Sequence, residues 1–173
     1  MAIIAMLQAG RVVTEHSEDA KALVTKARFG KLLEDGRVEL GVYEACFLMQ
    51  SGRISVIDSR NKSMSFDALY RRLLGNSKDA WIRYVVFCDL RKRGYTVKSA
   101  LKFGADFRVY DRNARDDDHA RWVLYVVREA DKLTWQGFAA KTRVAHSTKK
   151  QLLIAVVDDE GDISYWEARW LRP

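Results

Sequence analysis

The sequence predicts an α/β (α+β) protein in two parts. A small mixed N-terminal domain covers residues 1–76, and a C-terminal domain over 77–173 holds a central mixed β-sheet flanked by helices. Three observations carry this. Short apolar runs and strand-like alternations take turns with stretches at helical spacing. A polar break, Gly75-Asn76-Ser77-Lys78-Asp79, falls near the middle, with a lesser one at Ser59-Arg60-Asn61-Lys62-Ser63. The 173 residues, 48% hydrophobic and 31% charged, suffice for one large core or two small ones.

The first part opens with apolar stretches around Gln8-Ala9-Gly10, which predict a hairpin. Ser17-Glu18-Asp19 supplies a cap and an acidic first turn for a helix ending near Gly30. A short strand is expected at Arg37–Leu40 and a helix at Val42–Gln50 that stops near Gly52. Arg53–Asp58 alternates like a strand, and Ser65 caps a helix over Phe66–Leu74. In the second part Ile82, Val85, Val86 and Leu90 recur at helical spacing within Asp79–Arg93, which Gly94 ends. Strands follow at Tyr95–Lys98, Asp106–Tyr110 and Arg121–Arg128. Residues 134–147 read as a helix with Trp135, Phe138, Ala139 and Val144 on one side. Gln151–Val157 and Asp162–Arg169 close the chain as a hairpin around Asp158-Asp159-Glu160-Gly161.

Lys plus Arg exceed Asp plus Glu by 30 to 23, a formal charge of +7 and a pI near 9.5. Such an excess favours polyanions as partners, nucleic acid ahead of an acidic membrane surface. The longest apolar runs (Ala2–Leu7, Trp122–Val127, Leu152–Val157) are six residues each, against about 20 for a spanning helix. The start lacks a signal-peptide pattern, so the expected location is intracellular, in the cytoplasm, with no membrane partner. Cys46 and Cys88 sit in apolar stretches without metal-ligand spacing and read as core.

No GxxxxGK[ST], GxSxG or HExxH pattern occurs. Asp116-Asp117-Asp118 is the densest acidic run near the basic segment. Adjacent residues cannot all face one way, so it reads as a solvated loop rather than a metal site; the expectation is no metal and no cofactor. Among the histidines, His16 precedes a helix cap and His146 lies inside a helical pattern. His119 stands between a polar loop and a strand. A strand–loop–strand connection from Tyr110 to Arg121 brings Tyr110 and His119 to one edge of the sheet, though on composition alone they read equally as a surface histidine and a strand tyrosine.

Three blocks carry a resemblance. Arg91-Lys92-Arg93-Gly94-Tyr95-Thr96-Val97-Lys98 with Leu101-Lys102-Phe103-Gly104-Ala105-Asp106-Phe107-Arg108-Val109-Tyr110 is the first. Arg143-Val144-Ala145-His146-Ser147-Thr148-Lys149-Lys150 is the second, and it runs through Leu152–Val157 into the third, Asp158-Asp159-Glu160-Gly161-Asp162-Ile163. In identity, order and spacing these resemble the catalytic domain of archaeal tRNA-splicing endonucleases, over about residues 85–173. The resemblance implies a metal-independent endoribonuclease that removes introns from precursor tRNA at bulge–helix–bulge junctions and leaves 2′,3′-cyclic phosphate and 5′-hydroxyl ends. It implies Tyr110 as base, His119 as acid and Lys150 as electrostatic stabiliser; the small residue, often Ser, that follows the family histidine is Ala120 here, a mild departure. RNA brings its own nucleophile, the 2′-hydroxyl, so the protein need only move two protons and neutralise charge at phosphorus. A free phenol, with a pKa of about 10, pays about 4 kcal/mol as a base at pH 7 unless a cation lowers it.

The resemblance also implies that Arg143 and Trp170 grip a bulged base, a contact worth about 1–3 kcal/mol; read alone, they are equally a solvated arginine and an apolar contact near the chain end. Asp158, Asp159, Glu160 and Asp162 suit an ordinary hairpin tip, and in the resembling family this loop joins dimers into tetramers. One Tyr/His/Lys set per chain and two cuts per intron require at least two copies, as a homotetramer or as a heterotetramer with a non-catalytic paralogous subunit. The rival readings are that non-catalytic RNA-binding subunit itself and a metal-dependent nuclease of similar topology.

Overall fold

A computed structural model describes residues 2–112, 114 and 118–171. Met1, Asp116 and Asp117 of the expected acidic loop, and the C-terminal Pro173 lie outside the described residues. The chain divides into two compact units, Met1–Ala80 and Trp81–Pro173. Among the described residues each holds a five-stranded mixed sheet, and no helix is long and apolar enough to cross a membrane.

In the first unit β1 (Ile3–Gln8) and β2 (Arg11–Thr14) form the expected hairpin. Its turn residues Ala9 and Gly10 both have positive φ, the geometry that matches strand twist in two-residue loops. Helix α1 (Glu18–Thr25) is capped by Ser17, whose hydroxyl accepts from Ala20 N at 3.1 Å. It ends five residues before the Gly30 expected from sequence, because Arg28 enters the left-handed region and Phe29 N returns to Leu23 O. The two-residue strand β3 (Lys31–Leu32), not expected from sequence, then pairs with β4 (Val38–Leu40). Helix α2 (Val42–Gln50) precedes β5 (Ile54–Ile57), which lies parallel to β1, and α3 (Phe66–Leu74) follows the cap at Ser65. Glu44 accepts from Gly41 N at 2.8 Å and Gly30 N at 3.0 Å, fixing the start of α2 against the preceding loop.

The second unit is a sheet with a helix packed on either face. Its strands are β6 (Thr96–Ser99), β7 (Phe107–Tyr110), β8 (Trp122–Arg128), β9 (Gln151–Val157) and β10 (Ile163–Ala168), in the order β10-β9-β8-β7-β6; β8 and β9 are parallel and the other pairs antiparallel. Helix α4 (Lys78–Lys92) covers one face: Phe87 meets Phe107 with ring centroids 5.9 Å apart, and Tyr165 Oη donates to Asp89 at 2.8 Å. Arg83 donates to Asp106, which also accepts from Val126 N. Helix α5 (Trp135–Ser147), capped by Thr134, crosses between the parallel strands and covers the other face. Ala145 and Phe138 pack there on Val123, Tyr125 and Leu152. Trp135, placed on the apolar side by its spacing, is instead 86% exposed; it occupies the first helical position and meets Phe138 only edge-on. Cys46 and Cys88 are buried and free.

Candidate active site

Strand register assembles one end of the second sheet. Val109 pairs with Trp122 and Trp122 with Gln151; beyond those pairs, Arg121 N donates to Val109 O at 3.0 Å and Gln151 N to Arg121 O at 2.9 Å. Tyr110, Arg121 and Lys150 therefore share one rung at the end of β7 and the starts of β8 and β9. With strands about 4.8 Å apart, Tyr110 and Lys150 flank β8 at roughly 10 Å between backbones. His119, exposed, stands three residues before Trp122 at the same edge.

Side-chain alternation decides which face each group uses. Arg108 pairs with Val123 and Val123 with Leu152, so Arg108, Tyr110, Leu152 and Lys150 point to the side covered by α5. Lys150 is half-buried there. Burial first, and the Arg108 guanidinium second, push its ammonium below the ordinary lysine value. Its Nζ donates to Thr148 O at 2.8 Å.

The chain reaches Lys150 through a tightly wound helix end. Lys150 N donates to Ala145 O at 2.8 Å and Lys149 N to His146 O at 3.0 Å, the paired bonds of a Schellman motif. Lys149 takes the left-handed position, at φ +54°, where glycine is usual. Lys149→Val is expected to cost about 1–2 kcal/mol in denaturant unfolding, whereas Lys149→Gly is tolerated. Equal stability of the two variants would mean that this turn does not constrain the approach to β9.

Beside Lys150 a cleft of about 210 Å³ opens between the end of α5 and the end of β10; Thr142, His146, Lys150, Gln151, Arg169 and Trp170 supply most of its wall. The His146 and Trp170 rings lie 5.0 Å apart, tilted by 48°, and Trp170 is exposed. Arg143 is exposed on α5, outside the cleft wall. His146 was read from sequence only as part of a helix; its place four residues before Lys150 in the same block is the signal that could have marked it. In the acidic turn Asp158 Oδ1 accepts from Glu160 N and Asp162 N, while Asp159, Glu160 and Asp162 are exposed.

Residues 3–70 match the family described as tRNA intron endonuclease, N-terminal domain, and residues 80–165 match tRNA intron endonuclease, catalytic C-terminal domain. The chain is 39% identical over 168 residues to the tRNA-splicing endonuclease of Thermococcus onnurineus, covering 96% of this chain and 95% of that one. The chain belongs to the tRNA intron endonuclease family. Similar relatives include the tRNA-splicing endonucleases of Thermococcus kodakarensis, 37% identical with 98% and 99% of the two chains covered, and of Methanothermobacter thermautotrophicus, 37% identical with 89% of each. With both family domains present, this chain is an enzyme of the tRNA intron endonuclease family, and the rung carrying Tyr110 and Lys150 lies inside the matched catalytic domain.

Proposed function

We propose that this chain cuts precursor tRNA at bulge–helix–bulge junctions in the cytoplasm, without a metal ion, leaving a 2′,3′-cyclic phosphate and a 5′-hydroxyl. The observation that supports the reading is the shared rung, with Tyr110 and Lys150 on one face; His119 is exposed three residues before Trp122. In the proposed reaction Tyr110 takes the proton of the 2′-hydroxyl, and the resulting alkoxide attacks phosphorus. The bond to the 5′-oxygen breaks as that oxygen takes a proton from His119. Lys150, the cation that shares this rung and face with Tyr110, stabilises the charge that builds on the phosphoryl oxygens. Arg143 and Trp170 hold an unpaired base of the RNA by stacking.

Two cuts require two such sites, so the acting form contains at least two copies. We assign the exposed carboxylates Asp159, Glu160 and Asp162, on the turn that Asp158 braces, to the contact that joins dimers into a tetramer, where charge complementarity sets register. The polar stretch 75–79 is the proposed link between the two domains.

The test is incubation of the purified protein with an intron-containing precursor tRNA in excess EDTA, followed by end-group analysis. Cyclic phosphate and 5′-hydroxyl ends are expected; loss of cleavage in EDTA, or 3′-hydroxyl ends, would remove the proposed chemistry. Tyr110→Phe is expected to slow single-turnover cleavage and leave RNA binding intact. A rate near that of the unaltered protein takes Tyr110 out of the reaction.

A further inference from the structure

The face of the sheet opposite Lys150 carries a second set of groups at the same edge. The Arg112 guanidinium lies 4.9 Å from the centre of the Tyr95 ring, and that of Arg121 lies 4.3 Å from the Trp122 ring. The two rings meet edge to face at 6.0 Å, so guanidinium, phenol, indole and guanidinium form one contiguous cluster. Trp122 is itself buried and tied down, its Nε1 donating to Glu167 at 2.7 Å. Arg121 is held further by Gln151 Oε1 at 3.3 Å and Asp111 Oδ1 at 3.2 Å, and its Nη2 makes no hydrogen bond among the described residues. Arg112 is exposed and makes no ion pair among the described residues.

A ring beneath a guanidinium holds the cation by its face and leaves the in-plane N–H groups pointing outward, the geometry that suits phosphate oxygens. Among the described residues, Asp111 is engaged by Arg121, and Glu167 by Trp122 and Arg169. Arg121, just before β8, has its backbone on the rung between Tyr110 and Lys150, but its guanidinium turns to the opposite face, where Gln151 and the Trp122 ring hold it, and Arg112 follows Tyr110 by two residues.

We propose that Arg112 and Arg121 bind the RNA backbone phosphates flanking the cut, held ready by Tyr95 and Trp122. The inference rests on the function proposed above and adds these two residues to it. The experiment uses a bulge–helix–bulge RNA with 2′-deoxy sugars at both cut positions, which binds but lacks the nucleophile, and measures its Kd at several salt concentrations. Each phosphate contact contributes about 0.7–0.9 to the slope of log K against log salt. Arg112→Gln and Arg121→Gln are each expected to flatten the slope by at least about 0.7, and the double variant by about twice as much. Arg121→Lys, which keeps the charge and loses the flat stack, is expected to retain the slope while weakening binding.

An unchanged slope in a folded double variant, with the unaltered protein still cleaving natural precursor, overturns this inference alone. Failure of the unaltered protein to cleave overturns the function on which it rests. Should the double variant unfold, Arg112→Gln decides, because among the described residues that side chain contributes only its contact with the Tyr95 ring.

Discussion

Replacing His119 by alanine is expected to slow single-turnover cleavage by about 10²–10⁴-fold, the range that a positioned general acid supplies. The departing 5′-oxygen is a poor leaving group unless it receives a proton as the bond to phosphorus breaks. A substrate with sulfur at that bridging position leaves as a thiolate, whose conjugate acid has a pKa of about 8.5, and so needs no proton. The His119→Ala variant is therefore expected to cleave the sulfur substrate at close to the unaltered protein's rate while remaining slow on the oxygen substrate. Equal losses on both substrates would assign His119 to holding the RNA rather than to the proton transfer. The position of His119 makes this test clean: it is exposed and lies outside the strand, three residues before Trp122 opens β8.

Most elements were legible because local chemistry marks their ends. Helix α2 runs over the expected residues, with Gly41 before it, Glu44 reaching back to the Gly41 N–H, and Gly52 in the left-handed region just beyond. The β7 and β8 strands were likewise visible as two apolar runs on either side of a polar stretch. What stayed hidden depends on contacts distant in sequence. The end of α1 is set by Phe29 returning to Leu23 O through a non-glycine left-handed residue, Arg28, which carries no composition signal. The cleft beside Lys150 exists because β10 brings Trp170 to His146, 24 residues away, and helical spacing cannot reveal that meeting. The stacks on Tyr95 and Trp122 join β6, β7 and β8 only after the sheet has formed. Periodicity ranks faces along one element and is silent about which elements share a rung.

The largest effect on stability is expected from Phe107→Ala, about 3–5 kcal/mol in denaturant unfolding of the catalytic unit. Phe107 is only 1% exposed, opens β7 opposite Leu124, and packs its ring against Phe87 of α4. Removing its ring forfeits the transfer energy of a buried aromatic and leaves a cavity between sheet and helix that neither rigid element can close. Phe107 is also three residues from Tyr110, on the opposite face of the same strand. The damage should therefore appear as a lower unfolding midpoint and not as a changed response to the sulfur substrate, which separates it from the loss of His119. Trp135→Ala provides the contrast within the same unit: that ring is larger, but at the exposed first turn of α5 its truncation should cost no more than about 0.5 kcal/mol. If the two substitutions cost the same, the face of the sheet against α4 is not the packed layer that holds Tyr110 and Lys150 on one rung, and the site would need another source of rigidity.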